Sequence, residues 1–242
     1  SPATKMSVFN YEVKLVKPQF VLTSDTLRYN TATKIASIVG PSDIDSEENH
    51  IYSELGFYYT QQGQAELLNR SVLTNDGKRM TGDSLFYDRN RGFGEAFRNV
   101  EFVDTISKNM LTGNYCYYNQ LTSYAFATDK AMAVDFSQGD SLYIHADTLQ
   151  MYTFNFNTDS VFREARAYHK VRFYRTDVQG VCDSLVFSSK DSCLTMYRDP
   201  ILWNKQQQLL GEEIMVYMND STIDWAHIQN QALSAEQVDR SE

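Results

Sequence analysis

Seven acidic or amide side chains recur along this chain at nearly even spacing: Asp25, Glu54, Asp83, Asn114, Asp147, Asp183 and Glu212. Successive separations are 29, 29, 31, 33, 36 and 29 residues. Such a row could do chemistry. Two carboxylates facing across a cleft would make a glycosidase pair. Several converging oxygens would hold Ca²⁺. A structural reading competes with both. Each residue sits beside a small or turn-prone neighbour, as in Ser24-Asp25 and Gly82-Asp83, where Asp and Asn accept backbone N–H bonds. The glycine-rich run of calcium-binding repeats is absent, so the expectation is structural capping.

The remaining reactive side chains are scattered. His50, His145, His169 and His227 fall in different repeats with no i, i+4 pair. Cys116, Cys182 and Cys193 are odd in number and lack CxxC or Cys/His metal spacing. Cys182 and Cys193 could bridge, but a hairpin turning at Ser188–Asp191 would set Cys182 opposite Tyr197. There is no Gly-x-Ser-x-Gly elbow and no phosphate-binding loop; Gly92-Phe93-Gly94 reads as a turn. Lys130, Arg163, Arg166, Lys170, Arg172 and Arg175 form a modest basic cluster, either a solvated strand face or a phosphate contact at a groove rim. The expectation is a protein with no catalytic residues, no metal and no cofactor.

The acidic residues are positioned by a repeat. Gly82-Asp83-Ser84-Leu85-Phe86-Tyr87 is its clearest copy, with an apolar residue at every second position after the acid. Ser24–Tyr29, Ser53–Tyr58, Gly113–Tyr118, Ala146–Met151, Cys182–Phe187 and Gly211–Val216 repeat it. A second half follows, as in Ala96…Val100-Glu101-Phe102 and Ala167…Val171-Arg172-Phe173. Polar breakers such as Asn30–Thr33, Gln61–Gln64 and Ser188–Asp191 separate the halves. Each unit reads as strand, turn, strand, turn, with strands of about eight residues, roughly 27 Å long. Stacked units would give two sheets, one from the first halves and one from the second.

Strand alternation then sets the inward side chains. Leu27 with Tyr29, Leu85 with Tyr87, Leu149 with Met151, and Leu185 with Phe187 share faces, as do Val100 with Phe102 and Val171 with Phe173. Tyr58, Ile214 and Val216 occupy the same places in their copies. These residues either pack as a plain core or line an apolar groove. Tyr11–Leu22 reads as a partial first rung and Thr222–Ile228 as the last strand. The expected organisation is one elongated domain over residues 1–233, with a polar tail at 234–242.

Composition bounds the rest. Apolar residues make up 42 % of the chain, enough for a core, and 16 Tyr with 14 Phe favour strands. A net charge of −9 argues against nucleic acid. No apolar run approaches the ~18 residues of a membrane helix. The chain begins at Ser1, which is compatible with a removed signal peptide.

The repeat resembles the OstA-like family, which includes the periplasmic lipopolysaccharide-transport protein LptA and the N-terminal domain of LptD. The residues that carry the resemblance are Gly82–Tyr87 with Ala96, Val100 and Phe102, and Ala146–Leu149 with Ala167, Val171 and Phe173. The Tyr- and Asn-rich composition is similar to Bacteroidetes members. The resemblance implies an all-β, open β-jellyroll (β-taco) of two facing antiparallel sheets with about seven two-strand rungs. It implies a non-enzymatic periplasmic protein, associated with inner or outer membrane partners, that binds acyl chains of lipopolysaccharide or lipooligosaccharide. The inward residues named above would line the lipid site, and end-to-end strand pairing would join other envelope transport components or copies of the chain. Two readings compete: a carbohydrate-active β-solenoid enzyme using the acidic row, and a structural or adhesive scaffold with a closed, dry interior.

Overall fold

The computed structural model describes residues 5–18, 20–46, 49–137, 139–155, 158–219 and 222–237. Those residues contain strands and turns and no helix. They divide into two compact units, residues 1–107 with 112–121, and residues 108–111 with 122–242.

The first unit holds β1 (Met6–Lys17), β2 (Phe20–Asn30), β3 (Ile35–Asp45), β4 (His50–Tyr59), β5 (Gln64–Leu68), β6 (Val72–Asn75), β7 (Lys78–Thr81), β8 (Ser84–Asp88), β9 (Phe93–Asp104) and most of β10 (Asn109–Asn119). The second holds β11 (Tyr124–Asp135), β12 (Leu142–Phe154), β13 (Phe162–Arg175), β14 (Val178–Ser188), β15 (Cys193–Tyr197), β16 (Ile201–Asn204), β17 (Gln207–Leu210), β18 (Glu213–Asn219), β19 (Thr222–Gln229) and β20 (Leu233–Glu236).

Neighbouring strands pair antiparallel, and the long pairings β1–β2, β2–β3, β3–β4, β11–β12, β12–β13, β13–β14 and β18–β19 are each interrupted at one place. Ser24 pairs Ser42 and Thr26 pairs Val39, so Asp25 alone faces the two residues Gly40-Pro41. Asp147 likewise faces Asp129-Lys130 on one side and His169-Lys170 on the other. This is a β-bulge repeated along the chain, with the acidic residue of one strand set against two residues of its partner, and it bends the long strands there. Most of the two-residue partners are left-handed at both residues: Arg98-Asn99, Asp129-Lys130, His169-Lys170, Arg198-Asp199 and Asn230-Gln231 have φ between 49° and 65°, while in Gly40-Pro41 only Gly40 is left-handed. Each such residue costs about 1–2 kcal/mol in an L-amino acid. Backbone pairing survives the bend, because Asp83 N–H donates to the carbonyls of both Phe97 and Arg98 at 3.0 Å.

The bend corrects one expectation. The two sheets are not assembled from separate first-half and second-half strands. One long strand crosses both leaves, as in β9, β12 and β13 with 12, 13 and 14 residues. Opposite β4 the strand is interrupted, giving β5 and β6. Tyr11–Leu22 is likewise not one rung: it spans the end of β1 and the start of β2. The expected tail begins late, since Ser234, Ala235 and Glu236 belong to β20 and pair with β17; residues 238–242 lie outside the described residues.

Within each unit the core lies between two facing leaves that meet at the row of bends. Burial alternates along β2 through Phe20, Leu22 and Ser24, then changes phase at Asp25 to continue with Leu27 and Tyr29. In the leaf after the bend, large residues lie against small ones on the next strand. Leu149 pairs Ala127 and Ala167, Leu185 pairs Ala167, and Tyr58 pairs Ala36 and Ala65. This large-to-small alternation fills the interior without overlap, and each fully buried Leu contributes about 1.5–3 kcal/mol.

Candidate functional site

The acidic row lies on the outer side of the bends, and none of its seven members is buried. Four members, Asp83, Asp147, Asp183 and Glu212, meet cations and amides from the left-handed corner of a neighbouring strand, while Glu54 accepts from Tyr52. Asp83 lies 3.6 Å from Arg98 and accepts from Asn99. Asp147 lies 3.4 Å from Lys170. Asp183 is 3.2 Å from Arg198 and 3.4 Å from His169. Glu212 accepts from Asn230 and Gln231 at 3.0 Å. Bonding from Ser184, then from His169 with help from the Arg198 charge, holds the Asp183 carboxyl below its ordinary pKa. These four residues therefore staple strand to strand at the corners.

Backbone capping was expected of this row, but it falls elsewhere. The caps are at strand ends, where Asp104 accepts N–H bonds from Ile106 and Ser107, Asn30 from Ala32 and Thr33, and Asp88 from Arg91. Asn30 and Asp88 each follow the acidic position by five residues, a second column that the spacing could have revealed.

The basic cluster also separates into individual contacts. Lys170 serves Asp147, Arg166 bonds Glu164, and Arg175 bonds Asp177 at 2.5 and 2.9 Å. His50 bonds Asp45 at 2.7 Å with Asp43 at 3.5 Å, far in sequence from His169 at its corner. Among the described residues no group of three His, Cys, Asp or Glu is placed to hold a metal. All three cysteines are free. The hairpin pairs Ser188 with Cys193 and Ser184 with Tyr197, so Cys182 lies beyond the bend from Cys193. Burial pushes the Cys116 and Cys182 thiols up to about 12.

The expected groove residues lie on the inner columns. In the first unit Leu27, Tyr58, Leu85 and Val100 are buried, and Tyr29, Tyr87 and Phe102 half-buried. In the second, Leu149, Val171, Phe173, Leu185, Ile214 and Val216 are buried and Phe187 is half-buried; Met151 is exposed. Val100, Phe102, Val171 and Phe173 belong to the leaf on one side of the bend, the others to the leaf facing it.

In the first unit aromatic rings meet across the interior, away from the bends. Phe20 contacts Tyr58 edge-on at 5.1 Å, and Phe102 stacks on Tyr118 at 5.6 Å. Beside the second pair is a cavity of about 40 Å³ lined by Leu67, Leu73, Met80, Leu85, Phe102 and Tyr118, with Asn49, Asn75 and Lys78 at its rim. The groove residues expected from the sequence did not include Phe20, Lys78 and Tyr118. Phe20 and Lys78 precede an acidic position by five residues, and Tyr118 follows Asn114 by four, in the column of Tyr29, Tyr58 and Tyr87. Reading the repeat backward from the acid would have found the first two.

Residues 1–66 match the family model described as OstA-like protein. The family resemblance read from the repeat is thus borne out over that segment. Among solved structures, the chain is similar to LptH from Pseudomonas aeruginosa, described as the LptA-homologous periplasmic component of the conserved lipopolysaccharide transport device. The two are 12 % identical, with a TM-score of 0.42 over 66 % of this chain and 95 % of that one. No curated protein matches the chain.

Proposed function

We propose that this protein is a non-enzymatic periplasmic carrier that holds the acyl chains of lipopolysaccharide or lipooligosaccharide between the two leaves and hands the lipid toward the outer membrane. The observation that carries the reading is the pair of inner apolar columns, one on each leaf, in a chain whose first 66 residues match an OstA-like family model. Affinity would come from burying hydrocarbon at about 25 cal/mol per Å², with sugars and phosphates outside. Within the acidic row, the feature suited to glycoside hydrolysis, Asp83, Asp147 and Asp183 are engaged in corner stapling.

Strand edges support the associated partner reading. β1 pairs with β2 alone among the described strands, and it exposes Val8, Phe9, Tyr11 and Val16. Such an edge accepts a strand from another chain, which suits end-to-end joining to envelope transport components or to a second copy.

A structural scaffold is the competing reading, and one observation favours it. The cavity beside Phe102 and Tyr118, about 40 Å³, is too small for an acyl chain, so lipid entry at that place requires the leaves to part where Phe102 meets Tyr118. Native mass spectrometry of protein purified gently from an envelope fraction decides between them. The carrier reading predicts a bound glycolipid that is lost in Phe102→Asp and in Leu149→Asp. A folded wild-type protein free of lipid would establish the scaffold, and glycan cleavage would establish the enzyme.

A further inference from the structure

We propose that the second unit carries a carbohydrate-binding row on the outer side of one leaf, built by Tyr143, Tyr174, Gln179, Trp203 and Gln208. The row lies on the opposite side of that leaf from the inner apolar column, so it stands apart from the acyl site proposed above.

These five residues form one line across the sheet. Tyr143 pairs Tyr174, Tyr174 pairs Gln179, Gln179 pairs Trp203, and Trp203 pairs Gln208. Alternation fixes their side, because the sequence neighbours Phe173, Gly180, Leu202 and Leu209 are buried. Tyr143 and Tyr174 are 45 % and 50 % exposed, and Trp203 is half-buried. Among the described residues none of the three rings contacts another ring. The two hydroxyls, the indole N–H and both amides likewise have no hydrogen-bond partner among those residues. Arg172, in the adjoining row beside His145, meets no carboxylate there.

The same row of the first unit is built differently. His50 and Arg79 stand four residues before Glu54 and Asp83, as Gln179 and Gln208 stand four before Asp183 and Glu212. Asp45 pairs His50 as Tyr174 pairs Gln179. There the side chains satisfy one another: His50 bonds Asp45 at 2.7 Å, and Arg79 lies 3.5 Å from Glu101. The fold therefore does not require aromatic rings at this place. The second unit has exchanged a self-paired charged row for rings and neutral amides with open valences.

That combination matches a sugar. One face of a sugar ring is C–H groups, which pack on an aromatic ring, and its rim is hydroxyls, which an amide can both donate to and accept from. Neighbouring strands lie about 4.8 Å apart, so Tyr174 and Trp203, two strands apart, stand roughly 9–10 Å from each other. This is close to the span of a disaccharide. A linear glycan lying across the strands would meet a ring at every second sugar, with Gln179 between. A purely apolar occupant would leave the amides and phenols unpaired on binding, which is costly.

The test is calorimetry on the full chain with two probes, chitohexaose and the delipidated oligosaccharide released from lipopolysaccharide. At least one should bind. The chain has two tryptophans, and Trp225→Phe leaves Trp203 as the reporter. Its emission should move to shorter wavelength as the glycan is added. Tyr174→Ala removes an exposed ring, so the unfolding midpoint should hold while affinity falls about tenfold. Binding of the released oligosaccharide alone would assign the row to the sugars of a lipid cargo; binding of chitohexaose alone would assign it to a polysaccharide of the envelope. Absence of binding by both, an unchanged Trp203 emission on binding, or undiminished affinity in Tyr174→Ala would overturn the inference. Self-association that Tyr174→Ala abolishes, without glycan binding, would give the row to a second copy of the chain instead.

Discussion

The two units build the same bend from different interiors. In the first, the inner residues beside Asp25 and Glu54 are hydroxylic: Ser42 donates to Ser24 at 2.7 Å and Ser71 to Ser53 at 2.9 Å, all four buried, while Gly82 and Val100 stand beside Asp83. In the second, the matching positions are Ala131, Ala146, Val171 and Cys182. Both units keep small or modest side chains on the inside, left-handed pairs at the corner and the acid outside. The bend therefore depends on size and backbone shape. Its inner chemistry is free to differ, provided each buried hydroxyl finds a partner.

Several changes would break or sharpen that comparison. Leu85→Ala in the first unit and Leu185→Ala in the second remove equivalent side chains, 3 % and 2 % exposed. Each should lose about 2–5 kcal/mol in denaturant unfolding; a loss confined to one unit would show that the columns are not equivalent. Gly180→Ala should cost about 1–3 kcal/mol, because a Cβ there would lie 2.4 Å from the Phe173 ring.

Replacing the hydroxyls tests the interior directly. Ser42→Ala should cost about 1 kcal/mol, since it removes the hydroxyl that lies within bonding distance of Ser24 and the Gly40 carbonyl. Cys182→Ser places a hydroxyl in the apolar row and should cost about 1–3 kcal/mol. If Cys182→Ser is neutral, the interior of the second unit is wetter than this account holds. Cys193, which is less buried than Cys116 and Cys182, should be the first thiol to react with a disulfide reagent at mildly alkaline pH.

Acid should act on both units through different carboxylates. Burial works against the Asp88 charge, but Gln64, the Arg91 backbone and its guanidinium outweigh it, so the pKa is lowered. Asp177 is lowered chiefly by its bond to Arg175. A lowered folded pKa contributes stability above the unfolded value, and that stability is lost as pH falls through the folded value. Thermal midpoints should drop between about pH 5 and about pH 3, with a shallower slope in Asp88→Asn. The smallest effect is expected from Arg98→Ala and Lys170→Ala, exposed partners of the acidic row that contribute about 0–1 kcal/mol each.

Much of this architecture was legible in the sequence. The spacing of Asp25 through Glu212, the turns at Asn30–Thr33 and Ser188–Asp191, and the inward Leu, Tyr and Phe columns all follow from alternation and breaker residues. The continuity of the strands was hidden. A single acidic residue changes the phase of alternation, as between Ser24 and Leu27, and so imitates a strand start. On the partner strands the bend is made by pairs such as Arg98-Asn99 and His169-Lys170, whose left-handed backbone is not announced by glycine. The cross-strand pairing of the acids followed from those corners, and it was hidden for the same reason.

The carrier account stands or falls on whether the leaves must part to admit hydrocarbon. In a background with the three native cysteines replaced by Ala, Phe102→Cys and Tyr118→Cys can be joined by a short bifunctional thiol reagent, and lipopolysaccharide binding measured before and after. The account predicts that the unlinked protein binds and the linked protein does not. Undiminished binding with the leaves tied together at that point would contradict it.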